Sequence, residues 1–197
     1  YPEAFVNMLA LLGWNPGTEQ EIFSMEELIR EFSLEKINKS GSRFDPVKAR
    51  WFNHVYLQKR STRQIALEFN EILKSKGYDC DVRKLDALVD LVKERISFVK
   101  EMWDETCFFF EAPVSYDDKA VSKWWKEDSP KLLKEVSEIL IGIDDFSKDV
   151  IEHTIRDWID KRGYNNGLVM HSLRIVLVGE LRGPGIFDII SWLGKEE

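Results

Sequence analysis

Helix-start signals recur from one end of this chain to the other, and apolar residues follow them at helical spacing. That pairing constrains the fold more than any other feature and predicts an all-α protein. Ser24-Met-Glu-Glu27 and Ser61-Thr-Arg-Gln64 each read as a capping pattern, a hydroxyl followed three residues later by an acid or amide. Asp45-Pro46 pairs an N-cap acid with a first-turn proline, and Ser129-Pro130 opens another helix in the same manner. Pro2 starts a helix carrying Phe5, Val6, Met8, Leu9, Leu11 and Leu12, with Gly13 as its stop. Further helices are expected over 24–32, 45–59, 61–77, 129–141, 147–163, 167–178 and 185–193. The longest periodic run, Val82 to about Met102, sets Leu85, Leu88, Val89, Val92, Ile96 and Val99 on one stripe and predicts a single long helix. No segment alternates as a strand does, and no repeat or low-complexity tract appears.

Composition narrows the class. Hydrophobic residues make up 44% and charged residues 32% of the 197, a balance that suits a helical globular protein. No apolar stretch approaches the length of a membrane span, so no membrane partner is expected. Two cysteines, Cys80 and Cys107, are too few for a disulfide framework and fit a reducing cytoplasm. The net charge of −7 argues against a bulk polyanion binder such as a DNA-coating protein. The charge is uneven. Residues 1–60 balance 8 acids against 8 bases, residues 61–107 hold 10 against 8, and residues 108–197 hold 17 against 12.

The residues carry little sign of catalysis. His54, His153 and His171 are far apart and lack ligand spacing, and the two cysteines make no zinc pattern. Asp117-Asp118 and Asp144-Asp145 read as turn or helix-cap acids. No glycine-rich phosphate loop precedes a helix with its lysine in place. Neither a metal nor a cofactor is expected in this chain.

A binding surface remains. Arg95 stands out because its helical neighbours, Leu91, Val92, Phe98 and Val99, are all apolar, so no carboxylate lies at i±3 or i±4. Read from the residues alone, it is either a snorkelling arginine at the edge of a stripe or a cation offered to a ligand. Arg174 is equally an ordinary helix-surface arginine. Gly183 and Pro184 read as a turn, with Ile186 and Phe187 opening the core face of the next helix. Trp51, Asn53 and Tyr56 form an aromatic and polar cluster, most simply a helix core with a satisfied asparagine. Lys48, Arg50, Lys59 and Arg60 lie on or just after the same helix and can meet phosphates. Phe108-Phe-Phe110, Trp124-Trp125 and Trp192 read as interhelix packing.

Three stretches carry a family likeness. They are Pro2-Glu-Ala-Phe-Val-Asn-Met-Leu-Ala-Leu-Leu-Gly-Trp14, Phe44-Asp-Pro-Val-Lys-Ala-Arg-Trp-Phe-Asn-His-Val-Tyr56, and the tail from Ser172 through Arg174 and Gly183-Pro-Gly to Gly194. In order and spacing they resemble the C-terminal portion of bacterial-type glutamyl-tRNA synthetases, over nearly the whole chain. The resemblance implies a helical anticodon-binding cage preceded by a helical stem-contact segment. Residues 1–60 would end the stem-contact region, with 61–107 and 108–197 as two anticodon-binding subdomains. The implied partner is glutamate tRNA, through its anticodon loop and stem, and a monomer is expected. ATP and magnesium would serve the intact ligase. This chain would be a catalytically inactive piece of it, since no HIGH-type segment is present. Lys36-Ile-Asn-Lys-Ser40 has the look of the lysine-rich nucleotide loop of class I synthetases, but in the family that loop precedes the Pro2–Trp14 segment.

The resemblance also gives the binding residues roles. It places Arg95 at the third anticodon base. Glutamate anticodons end in cytosine, which offers O2 and N3 as adjacent acceptors to an all-donor guanidinium fork. Glutamine anticodons end in guanine, whose N1–H and N2–H would face donor with donor. It places Arg174 at the first base and sets Gly183, Pro184, Ile186 and Phe187 against the splayed bases. The family often has another residue at the Gly183 position, so only backbone contact is expected there. A glutaminyl enzyme fits less well, since its anticodon domains are β-barrels. The competing class is a helical protein-interaction module with no RNA role, for which the acidic net charge is the support.

Overall fold

The computed structural model describes residues 1–38, 41 and 43–196. Among these the only β-pairing is an isolated bridge between Trp14 and Ile37, and the rest of the regular structure is helical. The all-α expectation holds. Lys39 and Ser40, at the end of the lysine-rich stretch, lie outside the described residues. No helix among those described is long and apolar enough to cross a membrane.

The chain divides into two compact units, Tyr1–Met102 and Trp103–Glu197. The first holds α1 (Pro2–Gly13), α2 (Met25–Glu31), α3 (Pro46–Lys59), α4 (Thr62–Ser75) and α5 (Val82–Val92). Their starts follow the sequence signals. Ser24 and Ser61 each accept a hydrogen bond from the backbone of the third helical residue, and Glu27 and Gln64 answer onto the cap backbone. The Asp45 carboxylate accepts from the N–H groups of Val47 and Lys48. α1 packs on α3 through Ala4, Met8 and Phe52. α4 packs on α5, and Ile65, Ala66, Phe69, Leu73, Leu85, Leu88, Val89 and Val92 are all withdrawn from water. Asn7 is fully buried yet satisfied. It donates to the Glu21 carbonyl and accepts from the Phe23 N–H and the Tyr56 hydroxyl, which ties the loop after α1 to α3.

The short α6 (Met102–Thr106) begins at the last residue of the first unit, and the second unit contains α7 (Asp118–Trp124), α8 (Ser129–Ile141), α9 (Lys148–Arg162), α10 (Asn166–Val178) and α11 (Ile186–Leu193). Ile151, Ile155 and Ile159 form the buried stripe of α9, which meets α11. α10 contacts α7, α8, α9 and α11, so it is the central element of the unit. The short helix α7 escapes the apolar periodicity because it is only two turns long. Its cap, Asp117, accepts from the Lys119 N–H, the helix-cap use expected of that acid.

The long helix expected from Val82 to about Met102 does not form as one piece. α5 ends at Val92, a 3-10 turn covers Lys93–Arg95, Ile96 to Phe98 are extended or irregular, and a second 3-10 turn covers Val99–Glu101. The apolar stripe survives the break, since Ile96, Val99 and Met102 are still buried. Periodicity therefore reported burial correctly and backbone conformation incorrectly. The carbonyls that a continuous helix would satisfy internally are met by side chains from α3.

Core position should dominate stability in the second unit. Ile155→Ala, at a fully buried site, should cost about 2–5 kcal/mol. Ile141→Ala, at a residue 63% exposed, should cost within about 0.5 kcal/mol. Urea unfolding followed by tryptophan fluorescence measures both, and equal losses would mean that the packing of α9 is misassigned.

Candidate nucleic-acid interface

In the first unit the segment Lys93–Glu101 is suspended between hydrogen bonds. Gln58 Nε2 donates to the Lys93 carbonyl at 2.7 Å, and His54 Nδ1 lies 2.7 Å from the Ile96 carbonyl, a contact that requires the proton on Nδ1. Asn53 Nδ2 donates to the Ser97 carbonyl, while its Oδ1 accepts from the Tyr1 backbone nitrogen. Lys93 Nζ returns a bond to the Arg60 carbonyl at 2.6 Å. On the far side, Glu101 Oε2 accepts from the N–H groups of Ser97 at 2.8 Å and Phe98 at 3.2 Å. Arg50 holds both oxygens of that carboxylate in a bidentate pair.

Arg95 sits in the middle of this segment. It is exposed, and no hydrogen bond or ion pair engages its side chain among the described residues. Its neighbours Val92 and Ile96 are wholly buried, so the backbone on both sides is anchored while the guanidinium faces water. The arrangement offers a fork of donors on a fixed base.

The other cations of α3 are mostly engaged. Lys48 pairs with Glu21. Arg60 lies 3.8 Å from both Glu3 and Glu68 and sits over the Tyr1 ring at 4.2 Å. Lys59 lies over the Tyr56 ring at 5.2 Å with no acid partner among the described residues. Exposed pairs of this kind are worth about 0–1 kcal/mol, so a phosphate can replace the carboxylate at Lys48 or Arg60. Arg50 differs, because its acid partner is itself part of the loop.

In the second unit Arg174 is half-buried on α10 and turned onto the chain. Its Nη1 donates to the Arg182 carbonyl at 3.0 Å and its Nη2 to the Pro184 carbonyl at 2.8 Å. It thereby clamps the Gly183-Pro-Gly185 turn. Gly183 has φ +113°, a conformation that side-chain-bearing residues avoid. A Cβ on Gly185 would stand 2.3 Å from Asp188 Oδ2, which curls over the start of α11 and pairs with Lys148 at 2.8 Å. Pro184, Ile186 and Phe187 are buried, the last two at 7% and 5% exposure, so their side chains pack inside the unit. What the turn presents outward is Arg182, Gly185 and the rim residue Leu181. Trp124 is stacked on His171 at 3.9 Å, and Phe109 and Phe110 meet Trp192 edge-on, which makes these aromatics interhelix packing as expected.

The sequence singled out Arg95, Arg174 and the turn as candidates and gave no sign that His54, Gln58, Lys93 and Glu101 frame the segment that carries Arg95. The apolar residues of α3 are not gathered on one face, so its sequence does not mark an inner and an outer side, and nothing local distinguishes a polar residue that bonds a distant carbonyl. Among the described residues no group of His, Cys, Asp and Glu is arranged to hold a metal ion.

Known proteins share this architecture. The anticodon binding domain family matches residues 59–197. The chain therefore belongs to the anticodon-binding domain family. The glutamate–tRNA ligase of Bacteroides fragilis is 50% identical over 196 residues, covering 100% of this chain and 39% of that protein. That of Flavobacterium johnsoniae is 49% identical over 197 residues, with the same shares. The crystal structure of a glutamate tRNA ligase from Elizabethkingia meningosepticum in complex with its amino acid superimposes with a TM-score of 0.93 at 42% identity. That likeness covers 99% of this chain and 39% of the other. The chain thus spans about two-fifths of the length of the relatives it matches.

The Glu101 carboxyl supplies a pH test. Burial alone would raise its pKa, but the bonds from Arg50 and from the Ser97 and Phe98 N–H groups outweigh burial and hold it below the usual glutamate range. A lowered folded-state pKa contributes stability above the unfolded-state value, and that contribution is lost as pH falls through the folded value. Hydrogen-exchange protection of the Ser97 and Phe98 amides, corrected for intrinsic rate, should therefore drop on acidification. Glu101→Gln should flatten that dependence. A pH profile identical in both proteins would remove Glu101 from the frame.

Proposed function

We propose that this chain is the tRNA-reading portion of a glutamate–tRNA ligase, and that its first unit reads the third anticodon base through Arg95. The observation that carries the reading is an exposed guanidinium, unpaired among the described residues, on a segment whose backbone is fixed from both sides. Full-chain similarity to glutamate–tRNA ligases supports the same assignment. In this reading residues 1–60 end a stem-contact region, and 61–107 and 108–197 are two anticodon-binding subdomains. Lys48, Lys59 and Arg60 meet tRNA phosphates, and Arg50 acts through Glu101. Arg174 holds the Gly183-Pro-Gly185 turn so that its backbone lies against the first two bases, with Ile186 and Phe187 as the packed base beneath. The partner is glutamate tRNA, and the protein acts as a cytoplasmic monomer. ATP and magnesium serve the part of the ligase that joins glutamate to the tRNA, outside this chain.

Two measurements test this. Binding of a glutamate anticodon stem-loop should weaken as salt rises, because each neutralised phosphate releases counterions. A complex insensitive to salt would favour the protein-interaction reading instead. In the ligase, Arg95→Gln replaces an all-donor fork with an amide that both donates and accepts, so it can suit cytosine or guanine. The ratio of kcat/KM for two transcripts differing only at the third base should shrink by the equivalent of about 1–3 kcal/mol, the scale of one bidentate base contact. An unchanged ratio would reduce Arg95 to a surface arginine.

A further inference from the structure

We infer that His54 and Gln58 of α3 are positioning residues for third-base discrimination, acting on Arg95 through the carbonyls on either side of it. The inference rests on the reading of Arg95 given above. A guanidinium on a long side chain discriminates between bases only if its Cα is held, because a mobile base lets the fork retreat from an unfavourable donor–donor contact. Holding a reactive group to within about 1 Å is commonly a matter of orders of magnitude in effect. Arg95 is the last residue of the 3-10 turn that follows α5, so no helix continues beyond it to hold the chain on its far side. Nor does any side chain hold its guanidinium among the described residues.

What fixes its position is α3. Gln58 bonds the carbonyl two residues before Arg95, and His54 bonds the carbonyl one residue after it. These contacts cross 35 and 42 residues of sequence, and both are partly buried. Asn53 extends the line to Ser97. His54 and Gln58, four residues apart, share one face of α3, and Asn53 reaches the segment from the adjoining face, so the three meet successive parts of it. The same helix carries Lys48 at one end and Lys59 at the other. Helix α3 then does two things in one rigid element: it offers cations to the tRNA backbone and sets the height at which Arg95 meets the base. Discrimination becomes a property of the distance between those two contacts, and that distance is fixed by hydrogen bonds that touch no RNA.

The test uses the 197-residue chain and two anticodon stem-loops that differ only in cytosine or guanine at the third base. Gln58→Glu is nearly isosteric but replaces the amide donor with an acceptor. His54→Leu removes the donor, and His54→Asn restores an N–H close to the position of Nδ1. The ratio of the two Kd values should fall toward unity by about tenfold in Gln58→Glu and His54→Leu and return in His54→Asn. The salt dependence of binding should stay unchanged in His54→Leu and His54→Asn, which introduce no charge, whereas Gln58→Glu adds a carboxylate beside Lys59 and is read on the ratio alone. A merely structural role would weaken both complexes alike and leave the ratio intact, and that result would overturn the inference. If His54→Leu fails to fold, Gln58→Glu and His54→Asn decide alone. Arg95→Gln is the reference: if it leaves the ratio unchanged, the reading of Arg95 fails and this inference with it. If Arg95→Gln collapses the ratio and the α3 variants do not, only the positioning role fails.

Discussion

Three hydrogen bonds from α3 to the carbonyls of Lys93, Ile96 and Ser97 stand in for the bonds a continuous helix would have made. A helix that stops inside a protein leaves backbone carbonyls needing partners, and buried ones are costly to leave bare. Here the partners come from an element more than thirty residues upstream. The segment after α5 is therefore bonded to α3, in which Phe52 and Leu57 are buried. Apolar packing sets the helix in place, and the polar residues beside the packed stripe then choose the path of the following segment. Glu101 completes the exchange by taking the N–H groups of Ser97 and Phe98.

Charge follows the same division of the chain. The unit Tyr1–Met102 holds 16 acidic and 16 basic residues and is neutral, so the net charge of −7 falls on Trp103–Glu197, with 19 against 12. A polyanion meets little long-range repulsion from the first unit and more from the second. In the second unit the arginine on the turn is already matched, since Arg182 pairs with Glu180 and Glu105. Backbone groups at the turn are then the more suitable contacts, because they bring hydrogen-bonding capacity without needing a free cation. Gly183 permits the turn through its positive φ, and Gly185 leaves the space that Asp188 takes.

Most of the fold could be read from the chain because capping is local chemistry. Ser24 with Glu27, Ser61 with Gln64 and Asp45 with Pro46 each declare a helix start within four residues, and each forms as declared. Burial was legible for a similar reason, since Leu85, Leu88, Val89 and Val92 repeat at the helical period. The end of α5 was not legible. No proline or glycine marks it, and Val92-Lys-Glu-Arg-Ile continues the stripe. The groups that meet the carbonyls at and beyond the break lie at residues 53, 54 and 58, far away in sequence. The candidate site divides in the same way. Arg95 showed itself by its apolar neighbours, whereas the residues that hold it are ordinary polar positions on another helix. Ile186 and Phe187 read in two ways, as the core face of the next helix and, by the family resemblance, as apolar surface against the bases, and local sequence did not choose between them. Their buried side chains leave the turn's backbone and rim to face outward.

Arg95 and Arg174 make the contrast that gives the structure its functional sense. Both are arginines set among apolar residues, and the sequence alone does not separate them. Arg174 is turned onto its own chain, where two of its N–H groups hold the carbonyls of Arg182 and Pro184, so it shapes a surface. Arg95 has its backbone held by others and its guanidinium left outward. A guanidinium engaged with fixed carbonyls is a poor reader of bases, because discrimination requires that the correct partner be the first strong acceptor it meets. An unpaired one on a mobile loop is no better, because it relaxes toward either base. A free fork on a restrained backbone loses energy when the wrong edge is presented, and Arg95 is offered in that state where α3 straps the segment after α5.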